Sequence, residues 1–243
     1  MNLQGKLLVS HPSLTQGLFA KAVVYIYQHE HKGSLGVILN KRSNYSLADI
    51  MAQKNIAYEQ GNMVFTGGPM NQQALQVLHS DDWYSQNTLQ LPQGLSISSD
   101  NVMLEKLAMG NEPSLWRVFN GMAAWGPNQL EQELAQPNGW MIAQADYGIV
   151  FDTSEHQQWM KAIEQVSQSV CNGQLHLVSK YVRGDDTMLA SISTTRIQQV
   201  RLQQSNYKPG THHYLELQTV LDAIIAERFL IYINGERFNE VLN

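Results

Sequence analysis

No apolar run in this chain approaches the roughly 20 residues that a membrane-spanning helix needs, whereas short β-branched or aromatic runs recur between turn residues. That punctuation constrains the fold more than any other feature. Leu7-Leu8-Val9, the run from Ala22 to Tyr27 and the run from Leu35 to Leu39 predict strands, the last two forming a hairpin across the turn-like Lys32-Gly33-Ser34. Met63-Val64-Phe65, Leu75 to His79, Trp116 to Met122, Met141-Ile142 and Ile149-Val150-Phe151 predict further strands, with a break at Gly67-Gly68-Pro69.

Helices fall between these runs, so the pattern is α+β. Ser46 is placed to cap a short helix with Leu47, Ile50 and Met51 on one face. A second helix is expected to begin near residues 98–100, to carry the stripe Val102, Leu104, Leu107 and Ala108, and to end at Gly110. Pro127 suits the first turn of a third, in which Leu130 and Leu134 share a face. Asp152 with Glu155 resembles a capping box for a fourth, with Trp159, Ile163 and Val166 on its buried side.

The last third of the chain reads as a folded unit. Strands are expected from Leu175 to Val182 and from Thr187 to Ile192 around Arg183-Gly184-Asp185-Asp186, then a helix capped by Thr211 with the stripe Tyr214, Leu217, Leu221, Ile224 and Ile225, then a hairpin around Asn234-Gly235. The expected division is 1–173 and 174–243. A unit of the latter size has a thin core, so it is expected to pack on the first, and a chain ending near Asn172 to stay folded but become less soluble.

Composition excludes several classes of function. The net charge is −5, and residues 1–167 hold 9 basic against 14 acidic side chains while the remainder balances at 7 and 7. Affinity for nucleic acid comes mainly from a basic surface, so nucleic-acid binding is not expected, even with Lys180, Arg183, Arg196 and Arg201 interleaved in the second part. Cys171 is the only cysteine. An intrachain disulfide and a thiolate metal cluster are thereby excluded, in keeping with the cytoplasm, and the flanking Asn172-Gly173 offers no electropositive setting for a reactive thiol. The opening residues have no signal-peptide layout, and no membrane association is expected.

Few groups suggest chemistry. His29 and His31 share a strand face and would hold a metal only with a third ligand such as His79 or Asp100; no metal or other cofactor is expected. Ser10, His79 and Asp100 compose a Ser-His-acid set, but no G-x-S-x-G elbow is present. Gly67-Gly68-Pro69 offers amides to an anion without the phosphate-loop spacing, so a structural turn is the simpler reading. Trp125 and the helix start with Gln129, Glu131 and Glu133 can border a pocket, although packing explains the same residues. His212 and His213 are adjacent and point differently, which fits a solvated helix start.

The order and spacing of several motifs carry a family resemblance. Gly5-Lys6-Leu7-Leu8-Val9-Ser10 with Pro12 and Phe19, His29, Gly33-Ser34-Leu35-Gly36 and Asn40, Phe65-Thr66-Gly67-Gly68-Pro69, Leu78-His79, Ser98 with Asp100, Trp125-Gly126 with Gln129-Leu130-Glu131 and Glu133, and Phe151-Asp152 with Trp159 together resemble the YqgE/AlgH family over residues 3 to about 168. Gln16 replaces an aspartate and Met122-Ala123-Ala124 replaces a Tyr-Ala/Ser-Gly of that family, and the chain runs about 75 residues further. The resemblance implies a mixed branched sheet with a small, partly closed β-barrel surrounded by helices. It brings no known catalytic set. The family name comes from regulation of exopolysaccharide production, which implies regulation through a ligand or protein partner. The expected function is therefore a non-catalytic regulatory or adaptor protein with Gly67, Gly68, Pro69, Trp125, Gln129, Glu131, His29 and His79 as its binding residues. The alternatives are a hydrolase or metal-dependent enzyme using His29, His79 and Asp100, and a DNA-binding transcriptional regulator.

Overall fold

A computed structural model describes residues 2–166, apart from 137, 138 and 156, together with Pro209. The chain divides after Val166. Cys171, the basic residues from Lys180 to Arg201, His212, His213 and every element expected beyond residue 173 lie outside the described residues.

The described part is α+β, and its sheet is mixed and branched. Ten strands join in the order β10-β1-β2-β3-β9-β6-β8-β7, with β4 and β5 branching from the path. β1 (Lys6–Ser10) lies between β2 (Val23–Glu30) and β10 (Trp140–Gln144), and β2 forms the predicted hairpin with β3 (Gly33–Ile38). β9 (Trp116–Trp125) is the branch point. Its first half is flanked by β5 (Met63–Thr66), parallel, and β6 (Met70–Ser80), antiparallel, while its last residues pair with β3. β4 (Arg42–Ser46) extends from β5, and β8 (Leu95–Ser98) and β7 (Leu89–Gln90) follow β6.

The branching depends on a close backbone crossing. Gly121 in mid-β9 has φ +70°, and a Cβ there would stand 2.6 Å from the Gly68 carbonyl oxygen. A Cβ on Gly68 would stand 2.1 Å from the Met122 carbonyl carbon. Only residues without a side chain allow β9 to leave β6 for β3 at this point.

Two apolar clusters flank the sheet. Leu8, Val24, Ile26, Ile38, Ala123, Trp125 and Leu130 form one, which packs against α3 (Gln129–Leu134). Leu47, Met51, Val64, Val77, Trp83, Met103, Leu104, Leu107 and Val118 form the other, beneath α1 (Leu47–Gln53) and α2 (Asn101–Ala108). α1 starts at the predicted cap, with Ser46 and Asp49 completing a capping box, and α2 starts at Asp100.

Three expectations are corrected. Residues 148–152 form a π-helical turn in place of a strand, because Asp146 draws the chain inward: its carboxylate accepts from the Ile149 amide at 2.8 Å and its carbonyl from the Val150 amide at 2.9 Å. The last described helix starts at residue 155, where the Ser154 carbonyl accepts from the Gln157 and Gln158 amides at 2.9 Å each, and not at an Asp152 box. Its buried face is Gln158, Ala162 and Val166, with Trp159 and Ile163 half-buried beside it. Finally, Pro127 precedes α3, and Asn128 caps that helix with φ +58°.

Candidate functional site

The β2–β3–β9 register places three residues in one row: His29 faces Ser34, and Ser34 faces Trp125. The His29 Nδ1 and the Ser34 hydroxyl are hydrogen-bonded at 2.8 Å. Its Nε2 lies 3.6 Å from a Glu131 carboxylate oxygen on α3. That distance exceeds a hydrogen bond and makes an ion pair when the imidazole is protonated. The His29 side chain is 9% exposed and that of Glu131 51%, so the acid opens the row to solvent.

Two residues further along α3, Glu133 ties the corner together. One of its carboxylate oxygens accepts from the indole nitrogens of Trp125 at 2.9 Å and Trp140 at 2.8 Å, and the other accepts from the Gln129 side-chain amide at 2.9 Å. Gln129 also accepts from the Gly126 amide at 3.0 Å, which closes the start of α3. Trp125 and Trp140 meet edge to face at 6.1 Å, and Phe19 meets Trp140 in the same way at 5.5 Å. Two indole N–H groups converging on one acid make a rigid aromatic frame, since each would otherwise be left unpaired in a half-buried setting. Five of the residues singled out from the sequence, His29, Trp125, Gln129, Glu131 and Glu133, thus meet here. Trp140 and Phe19 were missed as site residues. The usable signal was the indole N–H of Trp140 itself, which needs an acceptor wherever the ring is covered.

His79 lies elsewhere, on β6, and is fully buried. Its Nδ1 stands 2.7 Å from the Ser80 carbonyl oxygen, so Nδ1 carries the proton and Nε2 accepts from the Ser98 hydroxyl at 3.0 Å. The chain of contacts continues from Ser98 to the Thr88 hydroxyl at 2.7 Å. Thr88 accepts from the Ser85 amide at 2.6 Å, and the Ser85 hydroxyl donates to Asp100 at 2.7 Å. Burial pushes the His79 imidazole below its usual range and keeps it neutral, with the Ser80 carbonyl and Asp82 opposing less strongly. Asp100 is partly buried, which raises its pKa, but hydrogen bonds from Ser85, the Asn87 amide and the Met103 amide outweigh that and lower it. The acid is thereby committed to capping α2.

Ser10 sits on β1, separated from β6 in the sheet by β2, β3 and β9. Its hydroxyl accepts from the Ala22 amide at 2.9 Å, so the structure does not bring Ser10, His79 and Asp100 together as a catalytic set. His29 and His79 are likewise separated by β3 and β9, and no group of three metal-ligating side chains is found among the described residues. At the glycine turn, the Gly67 amide donates to the Asn120 carbonyl at 2.8 Å and the Gly67 carbonyl accepts from Ile38 at 2.8 Å. Those groups serve the strand crossing. Among the described residues, no helix is long and apolar enough to cross a membrane.

A fold with this branched sheet and this tryptophan-framed corner places the chain in a defined class. The AlgH-like family model matches residues 7–170, and the chain belongs to that family. A UPF0301 protein of Stenotrophomonas maltophilia, Smlt1098, is 35% identical over 169 residues, covering 68% of this chain and 89% of that protein. A UPF0301 protein of Shewanella oneidensis is 32% identical over 168 residues, covering 66% and 89%. The solution structure of the AlgH protein from Pseudomonas aeruginosa superposes with a TM-score of 0.59 at 28% identity, covering 68% of this chain and 88% of that one. None of these names denotes an activity. Residues 171–243 lie outside the family match.

Proposed function

We propose that this chain is a non-catalytic regulatory or adaptor protein that works in the cytoplasm and binds a ligand or protein partner at the His29–Trp125–Glu133 corner. The observation that carries this reading is the contrast within the corner: an aromatic frame fixed by Glu133, beside an acid, Glu131, half open to solvent. Rigid aromatic anchors rimmed by polar groups are the usual make-up of recognition surfaces. The commitment of His79 and Asp100 to internal hydrogen bonds also supports it, because a general base needs a lone pair or proton free to meet substrate. The finer picture of the sheet as a small, partly closed barrel belongs to the same proposal, and would give the corner a stiff support.

Native mass spectrometry of gently purified full-length protein tests the reading. A mass carried by the wild type and lost on Glu131→Lys is the expected result. Turnover of a substrate panel that disappears in both His79→Ala and Asp100→Ala would replace it with the enzyme reading.

A further inference from the structure

The opposite end of β2 and β3 from the tryptophan corner collects positive charge. The β1–β2 pairing reaches Val9 and Val23, and beyond it the Ser10 amide donates to the Ala22 carbonyl at 3.0 Å. Lys21 holds the left-handed φ of +51°. Asn40 fixes that turn, donating to the Lys21 carbonyl at 2.8 Å and accepting from the Val23 amide at 3.0 Å. The Lys41 ammonium donates to the Ala20 carbonyl at 2.7 Å, which leaves two of its three N–H groups for another acceptor. The Lys21 ammonium stands 5.9 Å from the centre of the Trp159 ring, and the Trp159 indole donates to the Ser10 carbonyl at 3.0 Å.

These charges have too few counter-charges. Among the described residues, Arg117 donates only to neutral acceptors, the carbonyls of Leu39, Phe151 and Thr153 and the side chain of Gln158. Arg42 is paired with Glu155 at 2.8 Å. Glu155 and Asp152 are the acids whose fields reach Arg117. Neither Lys21 nor Lys41 has a carboxylate within ion-pair distance among the described residues. By its bond to the Ala20 carbonyl the Lys41 ammonium sits against the residue that precedes Lys21, and burial, then the like charge of Lys21, lower its pKa. Just past β1, His11 is 5% exposed; its Nδ1 accepts from the Ser13 amide at 3.2 Å, and its Nε2 has no hydrogen-bond partner among the described residues.

We propose that Lys21 and Lys41 form an anion site for the phosphate group of a small soluble molecule, with Trp159 as its apolar wall. Two neighbouring ammonium groups match the double charge of a phosphate, whereas a carboxylate would leave one of them uncompensated. The overall negative charge opposes a long polyanion, which restricts the ligand to a small one. This site is separate from the tryptophan corner and stands or falls independently of it.

Titration of the full-length protein with inorganic phosphate at constant ionic strength, followed by calorimetry and tryptophan fluorescence, tests the site. Saturable binding in the millimolar range or tighter is expected. Lys21→Asn suits the left-handed backbone and removes the ammonium together with its contact to the Trp159 ring, and Lys41→Gln offers a second variant; each is expected to weaken binding by about tenfold, the scale of one charge-assisted hydrogen bond. Lys54→Gln, at the exposed end of α1, is expected to change nothing. Absence of saturable phosphate binding in the wild type, or undiminished binding in both lysine variants, would overturn the proposal.

Discussion

The two polar assemblies of this domain use similar residues for opposite ends. Around Glu133, a carboxylate joins two indoles and an amide, and the neighbouring Glu131 still reaches solvent. Around His79, an imidazole, three hydroxyls and a carboxylate pass hydrogen bonds to one another with the histidine fully buried. Polar groups spent on each other stabilise a fold, whereas a framed but open acid leaves capacity for a partner. Which residue types are present says little about function here. What each is already bonded to says much more.

The comparison breaks most visibly at its aromatic anchor. Trp125→Ala removes a 6%-exposed ring and the indole donor to Glu133, and is expected to cost about 3–5 kcal/mol in a denaturant titration, the range for large aromatic truncations. His79→Ala follows at about 2–3 kcal/mol, since it leaves Ser98 and the Ser80 carbonyl without their partner. His79 also gives a pH signature. Its folded pKa lies below the unfolded value of 6.5, so the stability carried by the neutral ring is complete above that pH and is lost as pH falls through the folded pKa. Melting temperatures between pH 7 and 5 should therefore fall less steeply in His79→Gln than in the wild type.

Much of the fold was legible because local rules decided it. Short apolar runs rich in β-branched and aromatic residues found β1, β2, β3 and β5, and caps found α1 and α2, since Ser46 and Asp100 do what their chemistry favours at a helix start. The π-helical turn at 148–152 was not legible: Ile149-Val150-Phe151 has strand composition, and Asp146 and Gln158 override it through bonds set by the tertiary fold. β4, Arg-Ser-Asn-Tyr-Ser, has no apolar alternation and exists by pairing with β5. Part of the corner was visible as Trp125 and the acids of α3, but the row His29–Ser34–Trp125 depends on strand order, which sequence periodicity does not encode. His79 and Asp100 looked equally promising as isolated letters, and only their partners show how they are spent.

Smaller effects sharpen the contrast. Asp100→Ala removes the cap of α2 and is expected to cost about 1 kcal/mol by thermal or chemical unfolding. Glu131→Gln, by comparison, should change stability by less than about 0.5 kcal/mol, since a half-exposed pair contributes little to folding. A large loss on Glu131→Gln would make the corner as structural as the His79 assembly.

The most direct test of the central claim places a photo-crosslinking side chain at exposed Gln129 in the corner and, separately, at Met109, which is 83% exposed at the C-terminal end of α2, the helix that Asp100 of the His79 assembly caps. After irradiation in the native host, the account predicts a discrete adduct from position 129 and none from position 109. Adducts of equal yield from both, or from position 109 alone, would contradict it.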